Sequence, residues 1–209
     1  MNYSFISIEG NIGSGKTSFS KKLAKRFNSR LILESFSDNP FLPKFYDNPK
    51  RYAFPLELFF MAERYQQLGD FQDGDLFSNQ VVSDYFFIKS KLFAQNNLKE
   101  DELLLFNRLS EIALKSLPKP NIVLYLHSNI ERLQQNIKKR GREYELNISS
   151  DYLINIQNRY FDYLKKQSDF PVLMFDVSKI DFVLDDKSFN TIVSFLDKKY
   201  SVGIHRIQL

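Results

Sequence analysis

Glu9-Gly10-Asn11-Ile12-Gly13-Ser14-Gly15-Lys16-Thr17 is the stretch on which the reading of the whole chain turns. An apolar run, Tyr3 to Ile8, precedes it, and Ser18 to Phe27 follows with helical spacing, Phe19, Leu23 and Phe27 being the apolar members. Strand, GxxxxGK[ST] and helix in that order form the context a phosphate-binding loop requires. The glycines let the backbone curl so that successive N–H groups point inward as an anion nest. The following helix adds the positive end of its dipole. Lys16 supplies a mobile cation for the β- and γ-phosphates, and the Thr17 hydroxyl can reach Mg²⁺. An ordinary Gly-rich turn would need neither the full spacing nor the Lys-Thr pair. Residues 10–17 are therefore expected to bind a nucleoside triphosphate, ATP with its Mg²⁺.

A chain of 209 residues favours one domain with a substantial core. Apolar content is ordinary at 43%, but 21 Phe and 11 Tyr beside no Trp are unusual, and a few of these rings could line a pocket for a flat ring. Without cysteine, neither a disulfide framework nor a zinc–cysteine site is possible. There is no basic segment leading into an apolar one, and no window approaches ~18 uninterrupted apolar residues. The expectation is a cytoplasmic protein with no membrane partner. A net charge of +4, with both signs interleaved, is too mild for duplex DNA and suits an enzyme handling small polyanions.

Working outward, Leu31-Ile32-Leu33 reads as a second strand ending at Glu34, and residues 35–43 as a loop running into a helical turn around Phe45-Tyr46. Arg51 to about Phe71 reads as a long helix with Pro55 near its first turn. A third strand is expected over Gln80–Asp84, helices over Phe86–Gln95 and Glu100–Leu117, and a buried fourth strand over Asn121–His127. Ser128 is expected to cap a helix to about Lys139, and Ser149-Ser150-Asp151 to start another to about Lys166. Pro171–Val177 reads as the fifth strand and Lys187–Lys199 as a closing helix. Alternating strands and helices predict a single α/β domain with a five-stranded parallel sheet covered on both faces.

Ligands of such sheets sit outside the carboxyl ends of the strands. Strand two delivers Glu34 there and strand three Asp84. One carboxylate near the γ-phosphate can hold Mg²⁺, and another can take the proton of an attacking hydroxyl. Lys138-Lys139-Arg140-Gly141-Arg142 could be a solvated basic helix end or a nucleic-acid patch. Phosphoryl transfer, however, needs cations over the equatorial oxygens, and Arg-x-Arg beside Gly141 suits a lid closing on ATP.

Taken in order, the phosphate loop, Glu34, Phe45-Tyr46-Asp47-Asn48-Pro49 with Tyr52-Ala53-Phe54, Val81-Val82-Ser83-Asp84-Tyr85, and Arg140-Gly141-Arg142 followed by Glu145 resemble the deoxynucleoside kinases. The pattern is most similar to the bacterial branch acting on deoxyadenosine or deoxyguanosine, and Ile180-Asp181-Phe182-Val183 fits the same branch. The resemblance implies a P-loop kinase fold with an Arg-rich lid and phosphorylation of a deoxynucleoside 5′-hydroxyl by ATP. It implies Glu34 as the base, Asp84 in Mg²⁺ and 5′-hydroxyl handling alongside Thr17, and Lys16, Arg140 and Arg142 as the cations around the transferred phosphoryl. Tyr46 and Glu145 would hold the sugar 3′-hydroxyl, and Phe93 would flank the base. A homodimer through apolar faces of the 51–71 and 100–117 helices is also implied.

Two departures bear on the substrate. Many members carry Gln to pair with the base, whereas this chain has Glu57; a carboxylate only accepts, which favours an exocyclic amino group and puts deoxyadenosine first, with deoxycytidine or deoxyguanosine next. Arg64, two helical turns on, could bridge Glu57 and the ring, unless both are solvent-facing charges. Tyr85 stands where many members have Arg, and neither Lys89 nor Ser90 replaces a carboxylate often used for purines. The alternatives are a thymidylate-type monophosphate kinase, for which Glu34 would repel the acceptor's own phosphate, and a nucleotide-binding regulator without catalysis.

Overall fold

The computed structural model describes residues 2–36, 39–72 and 80–209, with residues 71 and 72 described by backbone alone. Residues 37 and 38 of the expected 35–43 loop lie outside the described part. The strands are β1 (Phe5–Gly10), β2 (Arg30–Ile32), β3 (Val81–Ser83), β4 (Ile122–His127), β5 (Pro171–Asp176) and β6 (Gly203–Ile207). The helices are α1 (Lys16–Phe27), α2 (Leu42–Asp47), α3 (Pro49–Gln72), α4 (Ile88–Asn97), α5 (Glu100–Leu114), α6 (Ile130–Arg140), α7 (Ser150–Lys166) and α8 (Asp186–Ser194).

Every strand pairing is parallel, in the order β2-β3-β1-β4-β5-β6. Among the described residues the sheet therefore has six strands, not the expected five. β6 was missed because its Gly-Ile-His-Arg-Ile sequence is only partly buried and forms an edge; its strand character appears only when Gly203 to Ile207 align with Pro171 to Phe175. The central strands β1 and β4 are buried along nearly their whole length, which is why they read as continuous apolar runs.

Period-two alternation divides the core. Ile6, Ile8, Ile122, Leu124, Leu126, Leu173 and Phe175 pack against Phe19 and Leu23 of α1 and Phe189, Ile192 and Val193 of α8. On the other face, Phe5 and Val81 pack against α3 and α5, while Val123, Tyr125 and Val172 pack against α4 and α7. α6 lies with α7 through Leu133, Ile137 and Leu153, reaching Ile12 of the phosphate loop.

The boundaries of three helices differ from expectation for local reasons. The cap of α6 is Asn129, whose side chain accepts from Arg132 N, while Ser128 is buried. α8 starts one residue early because Asp185 accepts from the Lys187 and Ser188 N–H groups, and it ends at Ser194 in a 3₁₀ turn over Phe195–Asp197. α3 begins at Pro49, which leaves Pro55 inside the helix rather than in its first turn.

Candidate active site

The phosphate loop is held from both sides. Gly13 (φ 81°) and Gly15 (φ 87°) sit in the left-handed region, and both are crowded. A Cβ on Gly13 would lie 2.7 Å from the Leu133 carbonyl of α6, and one on Gly15 would lie 2.7 Å from the Phe182 ring. Only glycine satisfies both the dihedral and the close approach. Asn136 of α6 donates to Gly13 O at 2.8 Å. Asn11 is buried with its amide on Leu153 O at 2.7 Å, while its own carbonyl accepts from Lys16 Nζ at 2.8 Å. Burial and the repulsion of Lys89 bring the Lys16 ammonium down to about 8, against the pull of Glu9, Glu34 and Asp84.

At the carboxyl ends of the neighbouring strands, Asp84 and Glu34 are locked together. Asp84 Oδ2 accepts from Thr17 Oγ1 at 2.5 Å and Asp84 Oδ1 from Glu34 N at 2.8 Å. Glu34 carries two cations: Arg64 Nε at 3.0 Å and Nη2 at 2.5 Å on Oε1, and Lys89 Nζ at 2.6 Å on Oε2. Burial alone would favour the acid, but Lys89 and Arg64 override it and hold Glu34 well below the usual carboxylate range. Arg64 also donates to Ser90 Oγ at 2.7 Å. Its guanidinium thus turns to Glu34 and Ser90 rather than bridging Glu57. Glu57 and Arg64 are 1% and 3% exposed, so they are not solvent-facing charges. Tyr85, in the place of the expected arginine, is fully buried with its hydroxyl on Gln67 Oε1 at 2.5 Å.

A cleft of about 750 Å³ is lined by Lys16, Thr17, Glu34, Tyr46, Glu57, Arg64, Asp84, Phe93, Arg140, Arg142 and Glu145. Every residue expected to bind or process the acceptor meets in it. A second, larger cleft of about 1940 Å³ runs along the outer side of the loop past Ser14, Gly15, Arg132 and residues 180–184. The two share Gly13, Lys16, Thr17, Glu34, Arg140 and Arg142 as a common wall. Gly10 and Asn11 line neither and support the loop from beneath.

The basic segment ends α6 at Gly141, in the left-handed conformation, and turns the chain back towards the cleft. Glu145 is buried; Arg140 Nη2 contacts its Oε2, and Arg142 Nη1 its Oε1 at 3.1 Å. The Arg142 guanidinium also lies 3.4 Å from the centre of the Phe36 ring. Tyr46 stacks on Tyr144, 6.0 Å between centroids, beside the same carboxylate.

Sequence reasoning missed four residues of this assembly. Lys89 faces Glu34, so a helix residue supplies a cation near the place where strand three lacks one; its position in the first turn of a helix entering from a strand end was the available signal. Asn97 donates to Glu57 Oε1 at 2.7 Å, and nothing in the local sequence marks it. Tyr152 closes the same wall. Glu9 is buried beneath the loop and accepts from Phe86 N and Tyr160 Oη, each at 2.8 Å, which ties β1 to the start of α4 and to α7. Among the described residues no group of three or more His, Cys, Asp or Glu is arranged to hold a metal.

The deoxynucleoside kinase family model matches residues 6–200. The deoxyguanosine kinase of Bacillus subtilis (strain 168) is 37% identical over 195 residues, covering 91% of this chain and 94% of that protein. The deoxyadenosine/deoxycytidine kinase of the same organism is 30% identical over 195 residues, covering 91% and 90%. Among solved structures, deoxyadenosine kinase from M. mycoides with bound dATP matches in fold with a TM-score of 0.78 at 22% identity, over 93% of this chain and 100% of that one. The chain belongs to the deoxynucleoside kinase family.

Proposed function

We propose that this kinase transfers the γ-phosphoryl group of ATP to the 5′-hydroxyl of a deoxynucleoside whose base carries an amino group, giving the 5′-monophosphate and ADP. The observation that carries the reading is the common wall of the two clefts, where the loop cation, Glu34 and both lid arginines stand between a triphosphate side and an acceptor side, with Asp84 next to them on the acceptor side. The 5′-oxygen attacks the γ-phosphorus, the bond to the β,γ-bridging oxygen breaks, and the hydroxyl proton passes to Glu34. With Lys89 and Arg64 on it, Glu34 is a weak base. It orients the hydroxyl first and accepts the proton late, which suits a loose phosphoryl-transfer transition state.

Thr17 and Asp84 suit a Mg²⁺ ion: two hard oxygen donors in contact at the end of the phosphate loop, with the remaining positions left for phosphate and water. The ion would neutralise charge on the phosphates. Lys16 follows the transferred group, and Arg140 and Arg142 close over it. Tyr46 and Glu145 hold the sugar, while Glu57 and Phe93 meet the base. The activities named for the two relatives, deoxyguanosine on one side and deoxyadenosine with deoxycytidine on the other, support an amino-bearing base. We also read the protein as a homodimer, through the exposed Leu104, Leu105, Leu109 and Ile112 of α5 and Tyr65 of α3.

The test is steady-state ATP consumption with the four deoxynucleosides, the ribonucleosides and dTMP. Turnover of deoxyguanosine, deoxyadenosine or deoxycytidine, with thymidine poor, is expected. Activity on dTMP alone would overturn the acceptor assignment.

A further inference from the structure

Glu57 is a buried carboxyl group with one oxygen accounted for and one left open. It is 1% exposed and lines the acceptor cleft; Oε1 accepts from Asn97 Nδ2 at 2.7 Å, while the equally buried Oε2 has no hydrogen-bond partner. A buried polar atom without a partner is costly, so Oε2 is poised for a ligand. Asn97 also decides which oxygen would carry a proton, because an oxygen already accepting from an amide N–H is the poorer site for it.

Resting on the reading that the base lies in this cleft, we propose that the protonation state of Glu57 selects the base, the carboxylate taking guanine and the carboxylic acid taking adenine or cytosine. When ionised, both oxygens accept. Guanine offers two adjacent donors, N1–H and the 2-amino group, whereas adenine and cytosine each offer one amino donor beside a ring-nitrogen lone pair that opposes the second oxygen. When protonated on Oε2, the group donates to that ring nitrogen while Oε1 accepts from the amino group. Adenine N1/N6 and cytosine N3/N4 present this same pair. On its Watson–Crick edge guanine meets the acid by turning O6 towards Oε2, a different pose from the one its two donors take. This groups the bases as the activities of the two B. subtilis relatives do.

The surroundings keep both forms accessible. Burial pushes the Glu57 carboxyl up to about 7, with Arg64 and the Asn97 hydrogen bond pulling it down, Glu34 pushing it up and Lys89 pulling it down. Tyr152 of α7 and Tyr46 of α2, both kept neutral chiefly by burial, also line this cleft. Lys16, Asp84, Arg140, Arg142 and Glu145 line the same cleft.

The experiment is the ratio of kcat/KM for deoxyguanosine to that for deoxyadenosine, and likewise for deoxycytidine, at steps between about pH 6 and about pH 8. In this range the bases themselves do not titrate. If each base takes only its own form, the ratio rises about tenfold per pH unit, and a rise of at least about tenfold across the range is expected. In Glu57→Gln, whose amide fixes one donor and one acceptor, the ratio should be flat and favour deoxyadenosine and deoxycytidine. A flat wild-type ratio overturns the inference without any variant, and so does an unchanged slope in Glu57→Gln. Absence of turnover with every deoxynucleoside would instead overturn the acceptor reading on which it rests.

Discussion

Two carboxyl groups in one cleft are driven in opposite directions by their neighbours. Glu34 is ionised by two cations, and Glu57 is pushed towards its acid by burial. Replacing Glu34 with Gln removes the proton acceptor while keeping the shape, so kcat should fall by ~10²-fold or more with little change in KM. An unchanged kcat in steady-state assays would remove Glu34 from that role. The two groups also leave opposite marks on stability. Glu34, depressed in the fold, contributes stability above the ordinary carboxylate range that is lost as pH falls through its folded value. Glu57, raised from 4.5 to about 7, contributes stability that is full below the ordinary range and lost as pH rises through about 7. That shift corresponds to on the order of 3 kcal/mol. Urea unfolding of the wild type against Glu57→Gln should show the variant gaining relative stability between about pH 5 and about pH 8. A constant difference across that range would contradict the raised value. Glu34 and Asp84 were legible because they follow strands at the carboxyl edge of the sheet, and Glu57 because it stands where the resembled family carries Gln. Asn97 and Lys89 were not, since their partners are 40 and 55 residues away in sequence.

Among the elements, α3 and α4 build the acceptor wall together. Within α3, Glu57 and Arg64 are seven residues apart, two turns of helix, so their common face follows from spacing alone. Which partner Arg64 takes does not follow: β2 brings Glu34 to Arg64 Nε at 3.0 Å, and α4 brings Ser90 to Nη1 at 2.7 Å. The residues from Val81 to Ser90 are all buried, which explains why lysine and serine there turn inward. α5 is different. Its inner side buries Phe106 and Ser110, and its outer side exposes Leu104 (62%) and Ile112 (66%), two turns apart. These exposed apolar residues are the face through which the proposed dimer would form. Leu104→Glu combined with Ile112→Glu should convert a dimer to a folded monomer in sedimentation velocity, because neither side chain supports the protomer's own core. A wild type that sediments as a monomer would end the dimer reading.

For the molecule as a whole, the alternation of strands and helices and the strand–loop–helix at residues 5–27 were sufficient to name a parallel sheet carrying a phosphate loop. These signals are local: hydrophobic period, loop glycines and strand-end acids each act within one or two elements. The order β2-β3-β1-β4-β5-β6 puts the loop strand between the strand followed by Lys89 and the strand followed by the lid arginines, so all of them open on one edge. That order, the sixth strand and the helix caps are settled by pairing and packing over long sequence separations. The sequence by itself therefore determined the phosphate loop, the fold class and which acidic and basic residues other than Lys89 line the cleft. Only the tertiary structure decided that Arg64 and Lys89 share Glu34, that Lys16 rests on Asn11, and that Glu57 keeps one oxygen open beside Asn97. The physical reason is that charge state and hydrogen-bond saturation depend on burial and on neighbours from other elements, and neither is written in the local chain.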